Sequence, residues 1–227
     1  MTTTTGSAEV ALREQVCRIG QAMWNRGLVA ANDGNVSVRL PDQTVVCTPT
    51  GVSKGFLEPA ALPVVTLDGE VVSGALRPSS EIRMHLRAYL EDPAVGAVVH
   101  AHPVHATAMA IKGEPLTSLM MPESVVAMPE VPLAPYAAPS TQQVPDSIAP
   151  FIRTHTGCLL EHHGALTWGP DLMTAYLAME RLEYSAQMTV LVRAIDGERQ
   201  LSPERVAEVR RIFGVTAPTG LAGRGGR

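Results

Sequence analysis

The run at 95–103 constrains this chain most. A β-type apolar stretch, Val95-Gly96-Ala97-Val98-Val99, ends in His100-Ala101-His102-Pro103. This pattern predicts a strand around which the rest of the chain is organised. Side chains alternate along a strand, so His100 and His102 point to the same face. Two imidazoles side by side at a strand end can hold two corners of a metal's coordination shell. A third corner is sought in His162-His163-Gly164. All seven histidines fall between His85 and His163. One such histidine alone reads as an ordinary polar residue; the paired motifs together favour a metal site.

The chain has 227 residues, 45% of them hydrophobic, which suits one domain over 1–227 with a substantial core. Its net charge is −4, and no basic run points to nucleic acid or an anionic membrane. No apolar stretch approaches the roughly 20 residues of a membrane span. The Thr-rich start lacks the basic and apolar segments of a signal peptide. Cys17, Cys47 and Cys158 lie far apart in apolar surroundings and read as small core residues. A cytoplasmic location follows as the expectation.

Along the chain, helices are expected over 9–26, from Ser79-Ser80 to about 91, after Pro103, over 141–153, over 170–194, and from Ser202-Pro203 onward. Strands are expected over 36–40, 44–48, 64–67 and 70–72 (a hairpin on Asp68-Gly69), at the His-Ala-His run, and on both sides of His162-His163-Gly164. The stretch 112–139 reads as loops with short strands. Residues 1–7 and 214–227 read as flexible tails. Strands come partly as hairpins and partly between helices. That pattern implies an α/β fold: a mixed, largely antiparallel sheet with helices on its faces.

Three neutral histidines, His100, His102 and His163, leave a coordination position open, which is the catalytic rather than the structural zinc pattern. Glu81 can coordinate a resting metal and then act as a general base; on spacing alone, a first-turn helix charge is its favoured reading. His162 falls on the opposite face if its segment is extended. His105 falls on the next helix, where a supporting contact to the site is the less favoured of its two readings. Ser79 and Ser80 sit at a helix start, where free N–H groups and the helix dipole favour a phosphate. Gly34-Asn35 and Thr50-Gly51 are polar turns that could add donors. Each alone is explained by a cap or a turn; beside a metal centre they suggest a small phosphorylated substrate. No glycine-rich nucleotide fingerprint is present.

Gly34-Asn35-Val36-Ser37, Thr48-Pro49-Thr50-Gly51, Pro78-Ser79-Ser80-Glu81, His100-Ala101-His102-Pro103-Val104-His105 and His162-His163-Gly164 together resemble the class II aldolase/adducin family. The resemblance runs over about 9–213. It implies a three-layer α/β/α fold with a mostly antiparallel sheet between helices. It implies one divalent metal per subunit, Zn2+ or else Mn2+ or Co2+, on His100, His102 and His163, with Glu81 as acid/base. Gly34, Asn35, Thr50, Gly51, Ser79 and Ser80 would hold the substrate phosphate. The assembly implied is a homotetramer with sites between subunits. Glu81 stands where epimerase-like members tend to carry Asp, so the pattern is closest to the fuculose-phosphate aldolases. The expected reaction is cleavage of a phosphorylated ketose to dihydroxyacetone phosphate and an aldehyde. Those aldolases use a tyrosine ahead of the Ala134-Pro135-Tyr136 segment, and this chain carries Met121 there. The family's other reactions, on the same metal and phosphate site, are decarboxylation of a 3-oxo-tetronate 4-phosphate, dehydration of methylthioribulose phosphate and 4-epimerisation. An adducin-like binding protein without catalysis is the reading from another class.

Overall fold

The computed structural model describes residues 3–215. It opens with α1 (Thr3–Asn25), so residues 3–7, expected as a tail, belong to the first helix. The chain leaves that helix through Gly27 at φ 67°, a conformation that glycine adopts without a side-chain penalty. The expected tail beyond 215 lies outside the described residues.

The sheet is built outward from β5 (Ala97–Ala101), the His-Ala-His strand. On one side β5 pairs with β1 (Asn35–Arg39), followed by β2 (Val45–Cys47), β3 (Val64–Val65) and β4 (Val71–Ser73). On the other side it pairs with β10 (Gly164–Gly169), then β9 (Gly157–Leu160) and β8 (Leu133–Ala134). Strands β6 (Leu116–Thr117) and β7 (Glu130–Val131) form a separate two-stranded sheet. The large sheet is mixed. Its ladders are antiparallel except β8–β9, which is parallel, and the expected mostly antiparallel sheet gives way at that edge. The cause lies in the connection. Between β8 and β9 the chain makes a long crossover carrying α5 (Gln143–Ile152), the kind of connection that a parallel pair needs.

Alternation along β5 sorts two apolar clusters. Ala97, Val99 and Ala101 join the cluster that includes Met23 of α1, Met109 of α3 (Val104–Lys112) and Met179 of α6 (Leu172–Ala194). Val98 joins the cluster of Tyr89 from α2 (Ile82–Glu91), Ile148 from α5, and Trp168. Trp168 is fully buried, and its indole N–H donates to the carbonyls of Ile152 (3.1 Å) and His155 (3.0 Å), so this large ring goes inside with its polar atom satisfied. The stretch read as loops and short strands also holds α4 (Pro122–Ala127). The last helix, α7 (Pro203–Phe213), starts as expected at Ser202, whose hydroxyl accepts the Arg205 N–H. Among the described residues no helix is long and apolar enough to cross a membrane. Cys17, Cys47 and Cys158 are free thiols, the latter two buried.

Candidate metal centre

The C-terminal end of β5 lies mid-sheet, between Asn35 of β1 and Leu166 of β10. Gly34 makes the close approach there possible. It sits at φ 71°, and a Cβ on it would stand 2.8 Å from the His100 carbonyl oxygen. His100 is fully buried. Its Nδ1 lies 2.9 Å from the Ala165 carbonyl. A carbonyl can only accept, so Nδ1 carries the proton and Nε2 presents its lone pair to the site.

His102 lies one residue past the strand, its N–H donated to the Leu28 carbonyl at 3.1 Å. His163 comes from the turn between β9 and β10, its N–H donated to the Leu160 carbonyl at 2.9 Å. The three rings converge: centroid separations are 4.9 Å for His100–His102, 4.8 Å for His100–His163 and 5.1 Å for His102–His163. One ligand atom from each lies within 4.8 Å of the others. The Nε2 atoms of His100 and His102 are 3.1 Å apart. Two nitrogens about 2.1 Å from a tetrahedral zinc would be roughly 3.4 Å apart, so the spacing suits a shared ion.

Glu81 completes the cluster. Its Oε2 accepts the Asn35 side-chain N–H at 2.9 Å and lies 3.3 Å from His100 Nε2. Its Oε1 lies 3.1 Å from His163 Nε2 without hydrogen-bond geometry, and is buried with no hydrogen bond. Such a buried oxygen fits a site that takes a cation. Burial opposes ionisation of Glu81, but the neighbouring imidazoles of His100 and His163 outweigh it and hold the carboxyl well below the usual carboxylate range. Burial, with His100 and His163 adding to it, lowers His102 to about 4. The residues present therefore offer nitrogen lone pairs and a carboxylate at one point, a donor set that suits a divalent transition metal.

The helix start differs from the capping pattern expected. Glu81, not a serine, occupies the N-cap of α2 and makes no capping hydrogen bond with its side chain. The Ser79 hydroxyl instead accepts the Glu81 N–H at 3.3 Å. The Glu81 carboxylate is thus free to turn toward the histidines. The Thr48-Pro49-Thr50-Gly51 turn bridges to Pro78 through Pro49. It is tied to β1 by the Thr48 hydroxyl, which accepts the Val36 N–H at 3.1 Å. Gly34, Asn35, Thr50, Gly51, Ser79 and Ser80 are thereby linked into one region next to Glu81. Their donors are not all free: the Thr50 N–H goes to the Arg77 carbonyl (3.0 Å), the Ser79 N–H to the Thr48 carbonyl (3.1 Å), and the Asn35 amide to Glu81. Thr50, Gly51 and Ser80 are exposed.

His105 does not join the triad: its Nδ1 lies 2.7 Å from Glu183, which also accepts the His105 and Ala106 N–H groups. His162 is not extended as supposed; it takes φ 57° in the turn and is exposed. Two neighbours escaped the sequence reading. Asp33 places its carboxylate 3.5 Å from His102 Nδ1, where it can orient the ring. His85 is buried, 2.7 Å from the Ser37 hydroxyl, which in turn meets the Tyr89 hydroxyl at 2.7 Å. Burial, reinforced by His100, lowers His85 to about 3. The spacing of four from Glu81, one helical turn, was the available signal for His85; nothing local marks Asp33.

The family model described as "Class II Aldolase and Adducin N-terminal domain" matches residues 14–190. A 3-oxo-tetronate 4-phosphate decarboxylase of Escherichia coli K12 is 35% identical over 208 residues, covering 89% of this chain and 96% of that protein. Its namesake from Cupriavidus necator is 33% identical over 195 residues, covering 84% and 89%. An L-fuculose phosphate aldolase of Escherichia coli O157:H7 is 32% identical over 203 residues, covering 89% and 94%. Among solved structures, YgbL from Escherichia coli superposes with a TM-score of 0.81 at 33% identity, covering 89% of this chain and 99% of its own. An L-fuculose 1-phosphate aldolase superposes at 0.82 with 27% identity, covering 90% and 97%. The decarboxylases, at higher identity than the aldolase, overturn the expected aldol cleavage of a fuculose-phosphate-like ketose.

Proposed function

The chain belongs to the class II aldolase and adducin family, and within it we propose a metal-dependent decarboxylase of a four-carbon 3-oxo sugar-acid phosphate. The observation that carries this reading is the 35% identity to 3-oxo-tetronate 4-phosphate decarboxylase over 89% of the chain. Chemistry at the leaving group supports it. An aldol cleavage must manage a proton on the departing aldehyde half, whereas carbon dioxide leaves without one. Met121, which has no proton to give, stands where the aldolase pattern would place a tyrosine donor.

In this reading His100, His102 and His163 hold the metal, with Zn2+ favoured and Mn2+ or Co2+ as substitutes, one per subunit. When bound, a divalent ion supplies Lewis-acid stabilisation for the charge that develops on the ketone oxygen. Gly34, Asn35, Thr50, Gly51, Ser79 and Ser80 take the phosphate. The bond between the carboxylate carbon and C2 breaks. Its electron pair moves toward the C3 ketone, carbon dioxide departs, and an enediolate remains. Glu81, a carboxylate at rest, takes a proton from water and passes it to C2, producing dihydroxyacetone phosphate and returning to the carboxylate. Asn35, donating to Glu81, aims the carboxyl group. The chain is read as one domain in a homotetramer with sites at subunit interfaces, acting in the cytoplasm.

A substrate comparison tests the reading. Metal-loaded protein is expected to favour 3-oxo-tetronate 4-phosphate over ketose 1-phosphates by at least about 100-fold in kcat/KM. Faster turnover of a ketose 1-phosphate would refute the decarboxylase assignment.

A further inference from the structure

Lys54 is a buried lysine, 2% exposed, that none of these roles uses. It enters the interior from a short 3-10 turn, Lys54–Phe56, packed on α1. Two glycines allow that packing: a Cβ on Gly20 would stand 2.8 Å from the Lys54 carbonyl oxygen, and one on Gly55 would stand 2.7 Å from the Trp24 ring. The backbone of Lys54 is therefore seated firmly before its side chain reaches inward.

The Lys54 ammonium donates to the Asn32 carbonyl at 2.9 Å and the Val52 carbonyl at 2.5 Å. Asn32 directly precedes Asp33-Gly34-Asn35, and Val52 directly follows Thr50-Gly51. A single side chain thus ties together the two turns assigned to the phosphate. Its hydrogen bonds go to carbonyls, and among the described residues it forms no ion pair. Burial lowers its pKa to about 8, with Asp33 and Glu81 pulling it back up, so the group is mostly charged at neutral pH. A tie between two carbonyls needs only N–H donors. A buried cation is costlier, and its positive field is not quenched by a contacting carboxylate.

We propose that Lys54 is the positioning residue of the phosphate end. It locks the Gly34-Asn35 turn to the Thr50-Gly51 turn and holds a positive charge behind them that favours a dianionic phosphate. This rests on the phosphate assignment made under the proposed function.

The test uses full-length, metal-loaded protein with Lys54→Met and, should that variant fold poorly, Lys54→Gln, which keeps an N–H donor without the charge. Inorganic phosphate is titrated into each, and 3-oxo-tetronate is assayed with and without its 4-phosphate. Loss of the charge is expected to weaken inorganic phosphate binding about tenfold or more. KM for the phosphorylated substrate should rise similarly, and kcat/KM should fall at least about fivefold further for the phosphorylated than for the unphosphorylated substrate. An unchanged phosphate affinity, or equal losses on both substrates, would overturn the proposal, as would wild-type protein that binds no phosphate. Should the wild type bind phosphate through Lys54 yet leave the tetronate phosphate intact, the reaction assignment fails and the role of Lys54 stands.

Discussion

A His102→Ala variant is expected to lose its bound metal and at least about 10²–10³-fold in kcat, the range for removing one charge-stabilising group from an active site. His102 is the suitable ligand to remove. Its side chain is 27% exposed, and it lies just past the end of β5. Truncating it leaves the sheet ladder and both apolar clusters untouched, so the melting temperature of the metal-free protein should hardly change. His100 would be a poorer probe. It is fully buried and bonded to the Ala165 carbonyl, so its loss orphans a polar group in the core. Metal content by mass spectrometry, beside turnover and a thermal melt, checks the expectation. Wild-type turnover by His102→Ala would rule out the triad as the metal site.

Glu81→Gln separates proton transfer from binding. The amide keeps the shape, and its oxygen can still accept from the Asn35 side chain, but it cannot deliver a proton. Metal content and KM should stay near wild type, while kcat falls by roughly 10²–10⁴-fold, the usual contribution of a positioned acid or base. Running the reaction in deuterated water follows the fate of the proton separately from the release of carbon dioxide. A retained rate would move the proton carrier to another residue.

Much of the fold was legible because it is local. The apolar run ending at His100, the hairpin on Asp68-Gly69 and the Ser202-Pro203 helix start are short-range patterns, and each appears near its expected place. The parallel β8–β9 edge was not legible. Leu133 and Ala134 form too short a strand to announce itself, and its partner is set by packing of α5. The site divides in the same way. His100, His102, His163 and Glu81 are chemically conspicuous residues in compact motifs. Asp33 and Lys54 gain their positions from distant parts of the chain, Asp33 beside His102 and Lys54 across two turns. The reaction is not legible in these motifs for a related reason. Aldol cleavage and decarboxylation of these phosphates share a metal end, a phosphate end and an enediolate. They differ at the departing group, which the shared motifs do not describe.

The most direct measurement follows the carboxylate carbon. Metal-loaded protein is given 3-oxo-tetronate 4-phosphate labelled with carbon-13 at C1, and its products are identified by mass. Labelled carbon dioxide and unlabelled dihydroxyacetone phosphate in equal amounts, both lost on removal of the metal, are the predicted result. Label retained in an unchanged or merely isomerised sugar acid, with no carbon dioxide formed, would contradict the account.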